Sequence, residues 1–498
     1  MEQIIKIGLA VFWFLVFTKL FLFWLWLWQL KNYHLGRFKA HFERQKIKKV
    51  FASFYRIKLP VFTKKALAVT TAWFLGVGAF FIFAVGQTDD NFRLLVLLFL
   101  FLLPLIASVF ILLFQIPVWF WQIYIMRKAR KKREQFKNLI VIGITGSFGK
   151  TSTKEFLASI LKEKYNVLKT SEHINAEVGI AQTILRELKP EHQVFVVEIG
   201  AYEKGKIKQV CKMIKPEIGI LTGINEQHLA TFGSQKNIIK AKFELIEALG
   251  EQGIAILNGD NENIKNQISN IKNNNSRLKN IKFVSLEEKT DVWAENILVE
   301  KEKISFIAYS QDGDEALFET NLIGRQNIIN ILMAAACSKE LGMRLPKIAQ
   351  VCRAFKQNNL KKTVSGLNVL DYSYSANPAS VMAHLRYLKT TWQGKAPSQK
   401  IIIVMPCLIE LGSASKKTHY NIGKEIAQVG DLAIITTKDR FKELSRGAKE
   451  AGFDNGKMIL LESVQGIFEK ISSFSQEGDI LLLESRAPKA LMELLNIG

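Results

Sequence analysis

Cysteine is scarce. Only Cys211, Cys337, Cys352 and Cys407 occur in 498 residues, far apart and without the spacing of a metal cluster. They read as reduced cytoplasmic thiols and receive no function. Acidic residues are also short, with 45 Asp and Glu against 68 Lys and Arg, a formal charge of +23. That balance invites a nucleic-acid reading, but its distribution argues otherwise. Residues 31–65 carry eleven basic side chains against Glu43 alone, and residues 127–137 carry seven against Glu134 alone. Sixteen of the net charges therefore sit in two short segments. No internal repeat is visible. No small-residue cleavage site follows the first apolar run, which argues against a removable signal peptide.

What is abundant is apolar length. Residues 7–29, 66–86 and 94–126 form three runs rich in Phe, Trp and Leu, the last interrupted by Pro104 and Pro117. Each is long enough for a hydrocarbon core of about 30 Å at 1.5 Å per residue. Buried helices of a soluble domain would rarely be so long with so few charges. The basic segments flank these runs, and the short connection at Asp89 and Asp90 is acidic. The positive-inside rule then puts the N-terminus outside and everything after residue 127 in the cytoplasm. Residues 1–135 are expected to form a multi-pass region of the inner membrane. Anionic membrane lipids, not nucleic acid, account for most of the excess charge. Lys19 lies within the first run, facing a partner helix or a lipid phosphate, or snorkelling toward one end.

From Asn138 onward the pattern changes to short apolar runs alternating with amphipathic helical stretches. Strands are expected at 139–144, 193–199, 217–222, 253–257, 400–405, 431–436, 458–462 and 479–484. Such alternation defines an α/β fold with largely parallel sheets. Residues 261–280, rich in Asn and Lys, read as a surface helix or loop insertion. The polar segment 356–366 reads as a hinge between two cytoplasmic domains.

The first of these strands runs into Thr145-Gly146-Ser147-Phe148-Gly149-Lys150-Thr151-Ser152-Thr153-Lys154, followed by a helical pattern. A strand, glycine turn and helix in that order arrange backbone N–H groups and a helix N-terminus around a phosphate. Lys150 reaches β/γ-phosphates and the Thr151 hydroxyl suits Mg²⁺. Ile144 stands where the strict Walker pattern has its first glycine; the bland alternative is a glycine turn that binds nothing. Nucleotide ligands in such sheets gather at the carboxyl ends of strands. Glu198 closes one strand there, and His228 follows another. A buried ion pair and a solvated loop residue are their plain readings; metal ligands are the functional ones.

Together with further ordered blocks, these residues resemble the Mur ligase family, in the branch that adds D-alanyl-D-alanine to the peptidoglycan precursor. The blocks are Val197-Glu-Ile-Gly-Ala201, Asn225-Glu-Gln-His228, Ala241-Lys242-Phe-Glu244, Leu257-Asn-Gly-Asp260 and Gly324-Arg-Gln-Asn327-Ile-Ile-Asn330. Asp371-Tyr-Ser-Tyr-Ser-Ala-Asn-Pro378, Glu410-Leu-Gly412 and His419 continue the series. The resemblance covers most of residues 138–498. It implies a P-loop central domain over 136–358 and a smaller Rossmann-like C-terminal domain over 359–498. It also implies an ATP- and Mg²⁺-dependent amide ligase that phosphorylates a carboxylate and lets an amine displace the phosphate. Moving the phosphoryl group needs charge neutralisation more than covalent help. Gly146, Ser147, Gly149, Lys150, Thr151 and Ser152 would hold the phosphates, and Asn327 and Asn330 the adenine side. Asp371, Tyr374 and Asn377 would close over nucleotide and acceptor. Lys150, Glu198, His228 and Lys242 would be catalytic, with Thr151, Glu198, His228 and a CO₂-carbamylated Lys242 at the metal.

Departures fall at the substrate-facing ends. Tyr372 and Ser375 replace the second Asp and the Asn of an expected Asp-Asp-Ser-Tyr-Asn. Pro406-Cys407-Leu408 stand for Gly-Asp-Met, and Glu484-Ser485-Arg486 stand for a terminal Lys-Gly-Ser-Arg. Membrane segments occupy the place of the family's uridine-diphosphate-binding domain. The leading expectation is a membrane-anchored ligase joining an amino acid or dipeptide to a muropeptide, UDP-linked or lipid-linked, beside cell-wall synthesis partner proteins. One alternative is a ligase extending glutamate on folate or another small acid. The other is a non-catalytic nucleotide-binding scaffold of a cell-wall complex.

Overall fold

The computed structural model describes residues 2–31, 33, 35, 38, 58–273, 279–356, 359–373, 377–392, 399–454 and 456–496. The chain divides into two compact units, Met1–Ile125 and Met126–Gly498.

The apolar runs of the first unit are helices, Glu2–Leu30, Lys64–Val85 and Asp89–Leu113. Only Phe114 separates the last of these from a further helix, Gln115–Glu134. The run read as one span at 94–126 is therefore two helices joined at a single residue. Pro104 lies inside its helix without ending it. One turn on, Ser108 Oγ donates to the Pro104 carbonyl at 2.6 Å and accepts from Trp24 Nε1 at 2.6 Å. This keeps polar groups paired where water is excluded. Rings fill the interior, with Phe21 stacked on Trp73 at 4.1 Å and Phe17 on Phe99 at 4.9 Å. Large apolar side chains also face outward: Ile82 is 81% and Phe101 83% exposed. Gln3–Leu30, Lys64–Val85 and Asp89–Glu134 are each long and apolar enough to cross a membrane. Lys19 sits on an exposed face of its helix. Most of the basic segment 31–65 lies outside the described residues.

The second unit is built on two sheets. Strands β1 (Ile140–Thr145), β2 (Val167–Lys169), β3 (Val194–Glu198), β4 (Ile218–Leu221), β5 (Ile254–Asn258) and β6 (Asn280–Ser285) precede β7 (Val292–Val299), β8 (Ile304–Ser310) and β9 (Glu315–Thr320). They form one sheet in the order β2-β3-β1-β4-β5-β6-β7-β8-β9. Pairing is parallel from β2 to β7 and antiparallel from β7 to β9. The first strand thus lies between β3 and β4, so the chain leaves it at a point where the winding reverses. Helices Lys150–Leu161 and Gln326–Glu340 pack together on this sheet. Leu157, Ile160, Leu161, Ile331, Leu332 and Ala335 belong to its buried core. The insertion at 261–280 contains the helix Glu262–Asn273.

The smaller sheet comprises β10 (Leu360–Lys362), β11 (Asn368–Tyr372), β12 (Ile401–Met405), β13 (Leu432–Ile435), β14 (Met458–Leu460) and β15 (Ile480–Glu484), ordered β10-β11-β15-β12-β13-β14. All pairs are parallel except β10 with β11. Part of the segment read as a hinge is therefore edge strand, residues 360–362, while 357 and 358 lie outside the described residues.

Candidate active site

The turn after β1 can be built only with glycine at two positions. Gly149 adopts φ +77°, and a Cβ there would lie 2.5 Å from Asn330 Oδ1; Gly146 adopts φ +154°, with its Cβ 2.1 Å from Thr222 Oγ1. Side chains other than hydrogen would push the turn away from the helix Gln326–Glu340 on one side and from the end of β4 on the other. Gly149→Ala is expected to weaken nucleotide binding tenfold or more, since backbone strain of this kind costs about 1–3 kcal/mol. Calorimetric titration with ADP reads the effect, with the thermal midpoint as control.

Gly149 caps the helix that begins at Lys150. Its first-turn N–H groups and positive dipole end therefore open toward the turn. Lys150 Nζ donates to the Gly146 carbonyl at 2.8 Å. Burial holds its ammonium below the ordinary lysine range, and the Glu198 carboxylate opposes that shift. Glu198 ends β3, paired with Ile144 of β1, and is 3% exposed. One carboxylate oxygen accepts from Thr151 Oγ1 at 3.0 Å and the other from Asn175 Nδ2 at 3.0 Å. The buried Lys154 ammonium lies 3.5 Å away.

His228 follows β4 and holds φ +66°, an unusual value for a non-glycine residue. Its Nδ1 is 2.6 Å from Glu410 Oε2, across from the smaller sheet, and Tyr202 meets its ring edge-on at 4.6 Å. Burial lowers its pKa from 6.5 and outweighs Glu410, while Lys242 and Lys150 push the same way as burial. A neutral ring that donates its Nδ1–H hydrogen bond to Glu410 leaves the Nε2 lone pair to hold a cation. The 228–230 loop is further tied to the smaller sheet by Ala230 N donating to the Glu410 carbonyl at 3.1 Å. Behind that loop His419 is fully buried; its Nε2 accepts from Leu408 N at 2.9 Å, fixing the turn that carries Glu410.

These groups open onto one cavity of about 790 Å³ between the two sheets. Ser147, Gly149, Lys150, Thr151, Ser152, Glu198, His228, Asn327, Asn330, Asp371 and Asn377 all line it. Asn330 also receives Thr153 Oγ1 at 3.4 Å, and Asn327 donates to the Ile323 carbonyl at 2.9 Å. Asn377 caps the helix Pro378–Thr391 through Ser380 N at 2.9 Å, and Asp371 Oδ1 accepts from Ser373 Oγ at 2.7 Å. Both therefore have structural bonds besides their place on the wall. Gly146 shapes the turn without reaching the lining. Tyr374 lies outside the described residues.

Lys242 is absent from the lining too. It sits on the helix Gln235–Glu247, 2% exposed. Burial first and then the Lys150 charge lower its pKa to about 7, with Glu244 opposing. It feels the Lys150 charge, and its own charge in turn helps to lower the pKa of His228. Asn175, Tyr202 and the Glu410 partnership were not read from the sequence, because all three depend on contacts between distant segments.

The donors fit Mg²⁺. Thr151 and Glu198 offer hard oxygen atoms side by side, and His228 a neutral nitrogen. Among the described residues no three or more His, Cys, Asp or Glu side chains form a metal cage. A sparse protein contribution suits an ion that keeps waters and phosphate oxygens around it.

Residues 144–338 match the Mur ligase middle domain, and residues 358–486 match the Mur ligase glutamate ligase domain. The chain belongs to the Mur ligase family. Within it, the sequence is similar to UDP-N-acetylmuramoyl-tripeptide–D-alanyl-D-alanine ligases. Identity to that of Escherichia coli (strain K12) is 33% over 305 residues, 59% of this chain and 64% of the relative. Identity to that of Bacillus subtilis (strain 168) is 26% over 360 residues, 71% and 75% of the two chains. The chain thus spans a little under two thirds of the Escherichia coli relative. MurF from Acinetobacter baumannii shares the fold with a TM-score of 0.65 and 26% identity, over 75% of this chain and 79% of that one. The MurF ligase of Thermotoga maritima has a like fold, with a TM-score of 0.63 at 23% identity, over 75% and 83% of the two chains.

Proposed function

We propose that the second unit is an ATP-dependent amide ligase of peptidoglycan precursor synthesis, which activates a muropeptide carboxylate as an acyl phosphate. The observation that carries this reading is the meeting of Lys150, Thr151, Glu198 and His228 at the carboxyl ends of three adjacent strands, facing Asp371, Asn377 and Glu410 across one cavity. A carboxylate is a poor electrophile because oxide is too basic to leave; phosphate leaves readily. The chain's own groups would bind and orient the phosphates: backbone N–H groups of the turn, the Lys150 ammonium and the Thr151 hydroxyl. Mg²⁺, held by Thr151, Glu198 and His228, would supply further neutralisation of the transferring phosphoryl charge. Glu410 would keep the His228 ring in the orientation that serves that ion. A lysine with a pKa of about 7 is about half free amine at neutral pH, far more than an ordinary lysine. The free amine is the form that adds CO₂, which supports carbamylation of Lys242.

The similarity to D-alanyl-D-alanine ligases favours that dipeptide or a related amine as acceptor. The three apolar helical stretches support a multi-pass membrane anchor with the ligase domains in the cytoplasm. Anchoring would raise the effective concentration of a lipid-linked donor at the inner leaflet. Detergent-solubilised protein is expected to release ADP only when a muropeptide carboxylate and an amine are both supplied. Equal turnover without either would contradict the reading. Mass spectrometry of products from UDP-linked and lipid-linked muropeptides separates the donors.

A further inference from the structure

Two of the positions at which the sequence departs from its family meet in space. Tyr372 ends β11 and Glu484 ends β15, and these strands are neighbours with the two residues in register. Against both side chains stands His384, on the helix Pro378–Thr391. His384 Nδ1 is 2.6 Å from Glu484 Oε1, and its ring stacks on Tyr372 at 3.5 Å between centroids and 16° between planes. Glu484 is fully buried and His384 is 4% exposed. Tyr372 and His384 nevertheless both line the cavity that holds Lys150 and Glu198. Among the described residues, nothing bonds His384 Nε2.

We propose that His384, held by Glu484, receives the proton of the acceptor's ammonium group and so prepares the amine for attack. This rests on the ligase reading and assigns the nucleophile's side of the reaction to the smaller sheet. A buried carboxylate that accepts from Nδ1–H fixes the tautomer with its lone pair on Nε2. The stacked phenol keeps the ring from turning, and the cavity is the side left open. Burial pushes the Glu484 carboxyl up, and the His384 hydrogen bond and charge oppose that shift. An acceptor arriving as R–NH₃⁺ loses one proton to Nε2, and the electron pair of that N–H bond stays on nitrogen. The pair forms the C–N bond as the acyl carbon–oxygen bond to phosphate breaks. The second proton leaves with the phosphate as HPO₄²⁻, and the proton on His384 passes to water through the open cavity.

The test uses the full-length protein in detergent, with a muropeptide and D-alanyl-D-alanine as probes. His384→Gln keeps a polar group of similar reach but no basic ring nitrogen. Amide formation is expected to fall at least tenfold, with a raised KM for the amine. Positional isotope exchange within ATP, driven by the donor carboxylate alone, should stay within twofold of wild type. Glu484→Gln, which keeps side-chain volume, should lower amide formation several-fold with the same exchange preserved. Variants that ligate as well as wild type, or that lose exchange together with ligation, would overturn this assignment. Absence of exchange in the wild-type protein would instead overturn the ligase reading, and the assignment with it.

Discussion

Lys150→Ala is expected to cut ATP-dependent ligation by about 10³-fold or more while leaving the protein folded. Single preorganised groups facing a transferring phosphoryl or an oxyanion are each worth about 10²–10⁵ in rate. Lys150 is placed for that task at the first turn of a helix, with Nζ 2.8 Å from the Gly146 carbonyl. Alanine is the best helix former, so the helix itself should persist. The substitution also removes a positive neighbour of Lys242, whose pKa Lys150 helps to depress. A scaffold that does not need nucleotide would tolerate the change. Ligation within tenfold of wild type would remove this lysine from the reaction.

Lys242→Met is expected to abolish at least about 99% of the activity, the scale on which loss of one electrostatic group is felt, and to raise stability at neutral pH. Activity falls because methionine cannot add CO₂ to become an anion beside the metal. Stability moves the other way through linkage. The folded-state pKa of about 7 lies below the ordinary lysine value of 10.5. Between those limits the unfolded chain holds a proton that the folded chain has released. Stability therefore climbs with pH across that window, by about 1.4 kcal/mol per unit from this group, and is flat below it. The methionine variant lacks this slope, so in CO₂-free buffer it should exceed wild type by a few kcal/mol near pH 7. Urea denaturation at pH 7 and pH 9 measures both quantities. Added bicarbonate should stabilise wild type and leave the variant unchanged. A variant less stable than wild type at pH 7, with the slope intact, would show that Lys242 is not buried as an amine.

Most of the parallel strands were legible as unbroken apolar runs covered on both faces, as in Val194–Glu198 and Ile401–Met405. Strands β6 and β11, also paired in parallel, were missed because Asn280, Lys282, Asn368 and Asp371 interrupt them. Strands β7, β8 and β9 escaped as well. They form the antiparallel end of the sheet, where polar residues interrupt the apolar run; Ile304–Ser310 alternates buried and part-exposed positions along its length. Strand β2 has three residues and offers no period to read. At the site, Lys150, Thr151 and Ser152 were legible as a contiguous motif, and Glu198 as the acid closing an apolar strand. Partners are another matter. The His228–Glu410 bond spans 182 positions, and His384–Glu484 spans 100. Pairings of that kind follow from sheet order and register, which local pattern does not encode. Tyr372 and Glu484 were noticed as departures from a family pattern; only the fold brings them onto the same histidine.

Activation of a carboxylate by phosphorylation moves one of its oxygens to phosphate, and isotope labelling follows that oxygen directly. A muropeptide labelled with ¹⁸O in the reacting carboxyl group, incubated with ATP, Mg²⁺ and D-alanyl-D-alanine, should yield inorganic phosphate carrying one ¹⁸O per amide formed. Unlabelled phosphate, with the ¹⁸O lost from the carboxyl group recovered in AMP or water instead, would contradict it.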